Sequence, residues 1–424
     1  MALAATFLAG AKGRLLPASI PFRFFASAAL FHLLLWIALL LGATDAVSFH
    51  GGPGTTLAAV HLLTLGVLTT TAVGASVQLL PVATRRPLAA VWPIKLVFWL
   101  AVPGLASLVA GMAASRADVL IAAAIATAAG LVLFAALLAD NLRRAQSIPV
   151  VAAYGWAALA ALLLLLVLGV ALALDYRTGL LPDHAAAALA HMILGSFGFM
   201  GLLALGFSHV LVPMFALSAA PARRPAFIAM VLAVAGVATG TAGALAASTL
   251  LLAAAALIGL GASGLHLWLM QRVLRSGIRK RLGLSFALIR AAWVMLPLAL
   301  LTGLAALFGI AGRGGATLFG FLVIGGWLMT FLLGILQRIM PFLASMHAPR
   351  PAGGAPPMMS ELASSGALTL HAGCHAGAIA LLGLAITLDS PTLFRIGSAG
   401  GLIGAVAFAV FTLEVLRHLA GKTA

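Results

Sequence analysis

One cysteine, eight acidic residues and two tyrosines among 424 residues leave several kinds of chemistry without donors. A lone Cys374 excludes an internal disulfide and any cysteine-based cluster, and it reads as a small packing residue in an apolar run. The acids are as telling. Asp140 and Glu414 stand at run ends beside Arg143 and Arg417, while Asp45, Asp118, Asp175, Asp183 and Asp389 fall in or near the segments between runs. None of these sits mid-run, where a proton- or sodium-coupled transporter usually keeps at least one carboxylate. Carboxylate-driven transport and hydrolysis by paired acids are disfavoured.

What the chain has instead is apolar length. It is 63% hydrophobic and 8% charged. Twelve runs are each long enough to cross about 30 Å of hydrocarbon: roughly 21–43, 57–82, 90–113, 119–140, 148–174, 185–217, 226–246, 249–270, 285–311, 317–344, 362–387 and 396–417. The expectation is an all-α polytopic membrane protein in contact with the lipid bilayer, 1–424 forming one integral membrane domain. The longest loops are 271–284 and the Pro/Gly-rich 345–361, and residues 1–20 read as a short lead into the first span rather than a secretory signal. The net charge of +16 is a topology signal, not a nucleic-acid footprint. Lys12, Arg14, Arg23, Arg85, Arg86, Arg143, Arg144, Arg223, Arg224, the 272–281 cluster, Arg290, Arg338, Arg350, Arg417 and Lys422 fall on one side of a twelve-span arrangement. Only Arg116, Arg177, Arg313 and Arg395 fall on the other. The positive-inside bias then puts both termini in the cytoplasm, and the expected location is a bacterial inner membrane.

The spans repeat. Gly66, Gly74 and Pro81 in the second span recur at the same spacing as Gly198, Gly206 and Pro213, and again as Gly326, Gly334 and Pro341. The prolines are 132 and 128 residues apart, room each time for four spans and their loops. The chain reads as three four-helix repeats, approximately 21–140, 148–270 and 285–417.

Against this background the histidines stand out. His32, His61, His191, His209, His266, His371 and His375 all fall within spans, where an imidazole needs a hydrogen-bond or metal partner. His371 and His375 are one turn apart and share a face of the eleventh span, among the small residues Ala372, Gly373, Gly377 and Ala378. Helix rise places His61 and His375 at similar depth near the outer surface, and His32 and His371 together deeper. The expected pairs are therefore His61 with His375 and His32 with His371. His266 and His209 read as packing residues, Gln337 holding the repeat position of His209, while His50, His184, His347 and His418 fall where water reaches them. Trp327 reads as core packing, and Arg338 as a snorkelling or loop-anchoring residue.

Three four-helix repeats with a histidine at the outer end of the second span resemble subunit I of the heme-copper oxidase superfamily. The likeness, carried by the His61–Pro81 and His191–Phe215 segments and the threefold layout, is more particularly to its smaller non-oxidase, NnrS-like membrane relatives. The resemblance implies that spans 11, 12, 1 and 2 line the pore of a low-spin heme, with His32, His61, His371 and His375 drawn from three of them. His61 matches the family's heme ligand on span 2. The second ligand of the family comes from span 10, which has no histidine here, so His375, or else His371, would substitute. His191 matches the copper ligand on span 6 only roughly. The paired histidines of span 7 are missing and neither Tyr154 nor Tyr176 suits oxygen cleavage, so oxygen or nitric oxide reduction is not expected.

Two functions follow as expectations. The first is a heme b membrane protein with an oxidase-like fold and no copper centre, serving electron transfer, a gaseous ligand such as nitric oxide, or heme handling. The second is a transition-metal permease, copper being the natural cargo, with the same histidines lining a path. A scaffold whose histidines merely pack is the bland reading. A redox partner and a homo-oligomer are compatible with each.

Overall fold

An apolar run in lipid must satisfy every backbone amide and carbonyl internally, and the helix is the one way a single run can do so. The computed structural model describes residues 15–145, 148–347 and 361–420, whose regular elements are all helices, with no strand among the described residues. Twelve helices are long and apolar enough to span a membrane. They are α1 Ser19–Leu41, α2 Thr55–Ala83, α3 Trp92–Ala113, α4 Ala117–Arg143, α5 Pro149–Thr178, α6 His184–Ala216, α7 Arg223–Leu245, α8 Thr249–Ser276, α9 Gly283–Leu307, α10 Gly315–His347, α11 Ser365–Thr387 and α12 Pro391–Leu419. Lys12, Arg14, Arg350 and Lys422 of the basic set lie outside the described residues, as do the start of the leading segment and most of the 345–361 loop. We call the end of the bundle where α1 begins the near end, and the opposite one the far end.

The repeat has a structural signature that its glycines and prolines only mark. In α2, α6 and α10 the helix widens to π-helical geometry over eight residues: Leu62–Thr69, Leu194–Gly201 and Leu322–Met329. These segments begin 132 and 128 residues apart, the spacing of the prolines. Hydroxyls help to hold the wide turns. Thr69 donates to the Thr64 carbonyl at 2.8 Å, Thr70 to that of Leu65 at 2.9 Å, and Thr330 to that of Gly325 at 3.1 Å, each five residues back. Single π-turns inside α-helices gather at functional sites.

The π-segments of α2, α6 and α10 touch one another, and these are the three most buried spans. Each is reached by the helix before it through two glycines. A methyl group at Gly66 or Gly74 would fall 2.8 Å from the Cβ of Phe31 or Phe24 on α1, and one at Gly198 would fall 2.8 Å from the Ala161 Cβ on α5. At Gly206 it would fall 2.7 Å from the Tyr154 Cβ, and at Gly334 2.8 Å from the Ser285 carbonyl on α9. Small residues let membrane helices approach closely, and dispersion contacts then hold them. Gly206→Val therefore forces α5 off α6. The expected cost is about 1–3 kcal/mol, read as a lower thermal midpoint in detergent.

Candidate functional site

A cavity of about 680 Å³ lies toward the far end. Its walls come from α2, α4, α5, α6 and α10, with single turns of α1, α3, α11 and α12. Leu65, Leu68, Leu131, Phe199, Phe321 and Leu328 typify an apolar lining. Polar residues gather at its far-end mouth: His50, Tyr176, His184 and Arg313. There Asp175 ties the rim together, accepting from the Leu181 amide at 2.6 Å and meeting the His184 Nδ1 at 2.7 Å.

Two imidazoles enter this apolar space. His61 is the last α-helical residue before the π-segment of α2, and His191 lies three residues ahead of that of α6. Their ring centres are 6.5 Å apart, with planes inclined by 29°. Each ring is fixed through Nδ1: His61 to the Leu57 carbonyl at 3.0 Å, one turn back on its own helix, and His191 to the Leu165 carbonyl of α5 at 3.2 Å. A carbonyl can only accept, so both Nδ1 atoms carry the proton and both Nε2 lone pairs are free. Gly169 on α5 makes room, since a methyl there would fall 2.9 Å from the Cε1 of His191.

The other intramembrane histidines lie elsewhere. His32, His371 and His375 form a buried group among α1, α10, α11 and α12, ring centres 6.1 Å apart for His32 and His371 and 5.7 Å for His371 and His375. His375 meets the Thr330 hydroxyl at 2.8 Å. A third group joins Tyr154, His209 and His266, with His209 centred 5.7 Å from Tyr154 and 5.4 Å from His266. The expected pairing of His32 with His371 is present as a ring contact. That of His61 with His375 is replaced: the imidazole beside His61 is His191, and the neighbours of His375 are His371 and Thr330. Depth along the bundle normal had suggested the pair, but the direction a side chain faces around its helix decides it. The histidine face of α11 turns toward α1 and α12, with Gly404 admitting the carbonyl contact of His371 at 3.0 Å. The cavity likewise lies on the α2–α4–α5–α6 side, whereas the three-histidine group, Trp36, Phe408 and Phe411 are buried along the arc of α11, α12, α1 and α2.

Sequence reasoning passed over Thr330, Trp36 and Arg313. Nothing in the sequence pattern marks Thr330, the first residue after the π-segment of α10, whereas Arg313 is one of only four basic residues on its side of the chain. Arg338 bonds the Ser285 hydroxyl at 2.7 Å and the Leu282 carbonyl, tying α10 to the start of α9.

With this geometry in hand, the chain can be set beside known structures. A heme-copper terminal oxidase dimer solved by cryo-EM superposes with a TM-score of 0.69 over 95% of this chain and 84% of its own, at 11% identity. The fold is that of a heme-copper terminal oxidase. At that identity the oxidase likeness concerns architecture. No protein-family model matches the chain, and neither does any curated protein.

Proposed function

We propose that the cavity holds heme b between His61 and His191, and that the chain is a membrane hemoprotein on the oxidase fold without a copper centre. One observation carries this reading: two imidazoles face an apolar cavity with both Nδ1 atoms committed to carbonyls and both Nε2 atoms free. With metal–imidazole bonds of about 2 Å, two rings on opposite sides of one iron stand roughly 6 Å apart centre to centre. The observed 6.5 Å fits. A bare metal ion fits less well, for it wants three or more protein donors. Among the described residues no group of three His, Cys, Asp or Glu side chains is placed to hold one. A macrocycle brings four nitrogens of its own and needs from the protein only two axial ligands and an apolar slot.

When bound, heme supplies one-electron chemistry. This chain's residues set its terms: His61 and His191 give the ligands, Leu57 and Leu165 orient them, and the apolar walls exclude water. With both His61 and His191 as ligands the site would suit electron transfer, and with only one of them it would suit a small gaseous ligand such as nitric oxide. The absence of histidine from α7 and the use of His191 opposite His61 support a site without copper. The near end, rich in arginine, we read as cytoplasmic.

Low-temperature EPR of the oxidised, detergent-purified protein tests the ligand set. A low-spin ferric signal supports two imidazoles, while an exclusively high-spin signal rules out this pair. Arg313 at the mouth suits a carboxylate of the macrocycle. An exposed ion pair is worth at most about 1 kcal/mol, so Arg313→Ala is expected to speed heme loss to apomyoglobin roughly fivefold with no change in the band positions.

A further inference from the structure

His32, His371 and His375 each have one ring nitrogen bonded and one buried without a partner: Nδ1, Nε2 and Nδ1 respectively. Their partners dictate where the protons sit. The Trp36 indole N–H can only donate and reaches the His32 Nε2 at 2.9 Å, so the free Nδ1 of His32 bears a proton. The Gly404 carbonyl can only accept from the His371 Nδ1, so the free Nε2 of His371 is a lone pair. Thr330 gives its hydroxyl proton to the Gly325 carbonyl and therefore accepts from the His375 Nε2, which leaves the free Nδ1 of His375 a lone pair as well. The rings adjoin, His371 standing beside both His32 and His375. The group thus presents one donor and two acceptors, sealed from solvent.

We infer that His32, His371 and His375 form a binding site for one small neutral hydride, with water as the resident ligand. A water molecule accepts one hydrogen bond and donates two, which is the complement of what these rings offer. Buried waters typically make about three hydrogen bonds to polar groups left unsatisfied by the protein. Without a guest the three nitrogens stay desolvated and unpartnered, an unfavourable state that the guest relieves. A metal ion does not suit, because the free nitrogen of His32 carries hydrogen and only two lone pairs remain. Ammonium does not suit either, having no lone pair to accept from His32.

The guest completes a chain in which every donor meets an acceptor. It runs from Trp36 through His32 to the guest, and on through His375 and Thr330 to Gly325, with His371 and Gly404 as a side branch. Trp36 and Gly325 both line the cavity that His61 and His191 enter. The guest therefore ties the α1 wall of that cavity to its α10 wall, and His32, His371 and His375 act as positioning residues. The site stands whether or not the cavity holds heme.

The test combines a cryo-EM map fine enough to show waters with ¹⁵N-histidine NMR of the full chain in nanodiscs at neutral pH. Expected are one water-sized peak within hydrogen-bonding distance of all three nitrogens, and N–H at Nδ1 of His32 and His371 but at Nε2 of His375. His371→Leu is expected to lose the peak. Thr330→Val, a milder change, is expected to spread the His375 proton over both nitrogens while His32 and His371 keep theirs. A dry pocket in the wild type overturns the inference, as does a peak that metal analysis identifies as a metal, or an Nε2–H on His32.

Discussion

His191→Ala is expected to strip the protein of its low-spin heme, while His375→Ala leaves the visible spectrum as it is in the wild type. The contrast follows from which rings share the cavity. His191 stands 6.5 Å from His61 with its Nε2 free, and His375 is committed to Thr330 on another side of α10. Loss of partners that merely orient a metal ligand costs about 10- to 100-fold in affinity, and loss of the ligand itself should cost at least as much. Heme content after purification and the reduced α and β bands read this directly. Equal losses in the two variants would move the second ligand back to α11. Loss in His375→Ala alone would refute the pairing with His191.

The second large effect is expected at Gly401. This residue of α12 lies flat against the Trp36 indole, and any side chain there would overlap the ring. Trp36 is almost wholly buried, lines the cavity and donates to His32, so it cannot swing aside without cost. Gly401→Val is expected to lose about 3 kcal/mol by overpacking and to lower both the thermal midpoint and heme retention. Gly400, its neighbour, has nothing within 4 Å of where a Cβ would stand. Gly400→Val is thus the matched control, with a midpoint close to the wild type. A Gly401→Val protein as stable as that control would mean that Trp36 is not the fixed wall described above.

Much of the architecture was legible because lipid forces a simple code. Twelve apolar runs had to be helices, and Gly66, Gly74 and Pro81 with their two later sets marked the repeat. What they did not disclose was the π-helical widening of α2, α6 and α10, since no residue pattern distinguishes a five-residue hydrogen bond from a four-residue one in advance. The histidines were legible as a set and not as pairs. Position along a helix gives depth, but the face on which His61 emerges depends on the tilt of its helix and on the contacts around it. The contacts that orient its neighbour His191 come from Gly169 and Leu165 on another helix. Trp36 and Thr330 looked like ordinary core and span residues. Only their proximity to imidazoles gives them a role.

The measurement that bears most directly on the account is the heme stoichiometry and reduced-minus-oxidised visible spectrum of the wild-type protein, purified from heme-replete cells. About one heme b per chain is expected, with the sharp reduced bands of a low-spin iron. A colourless protein would contradict it and leave the histidine-lined interior to be explained as a path for a transition metal.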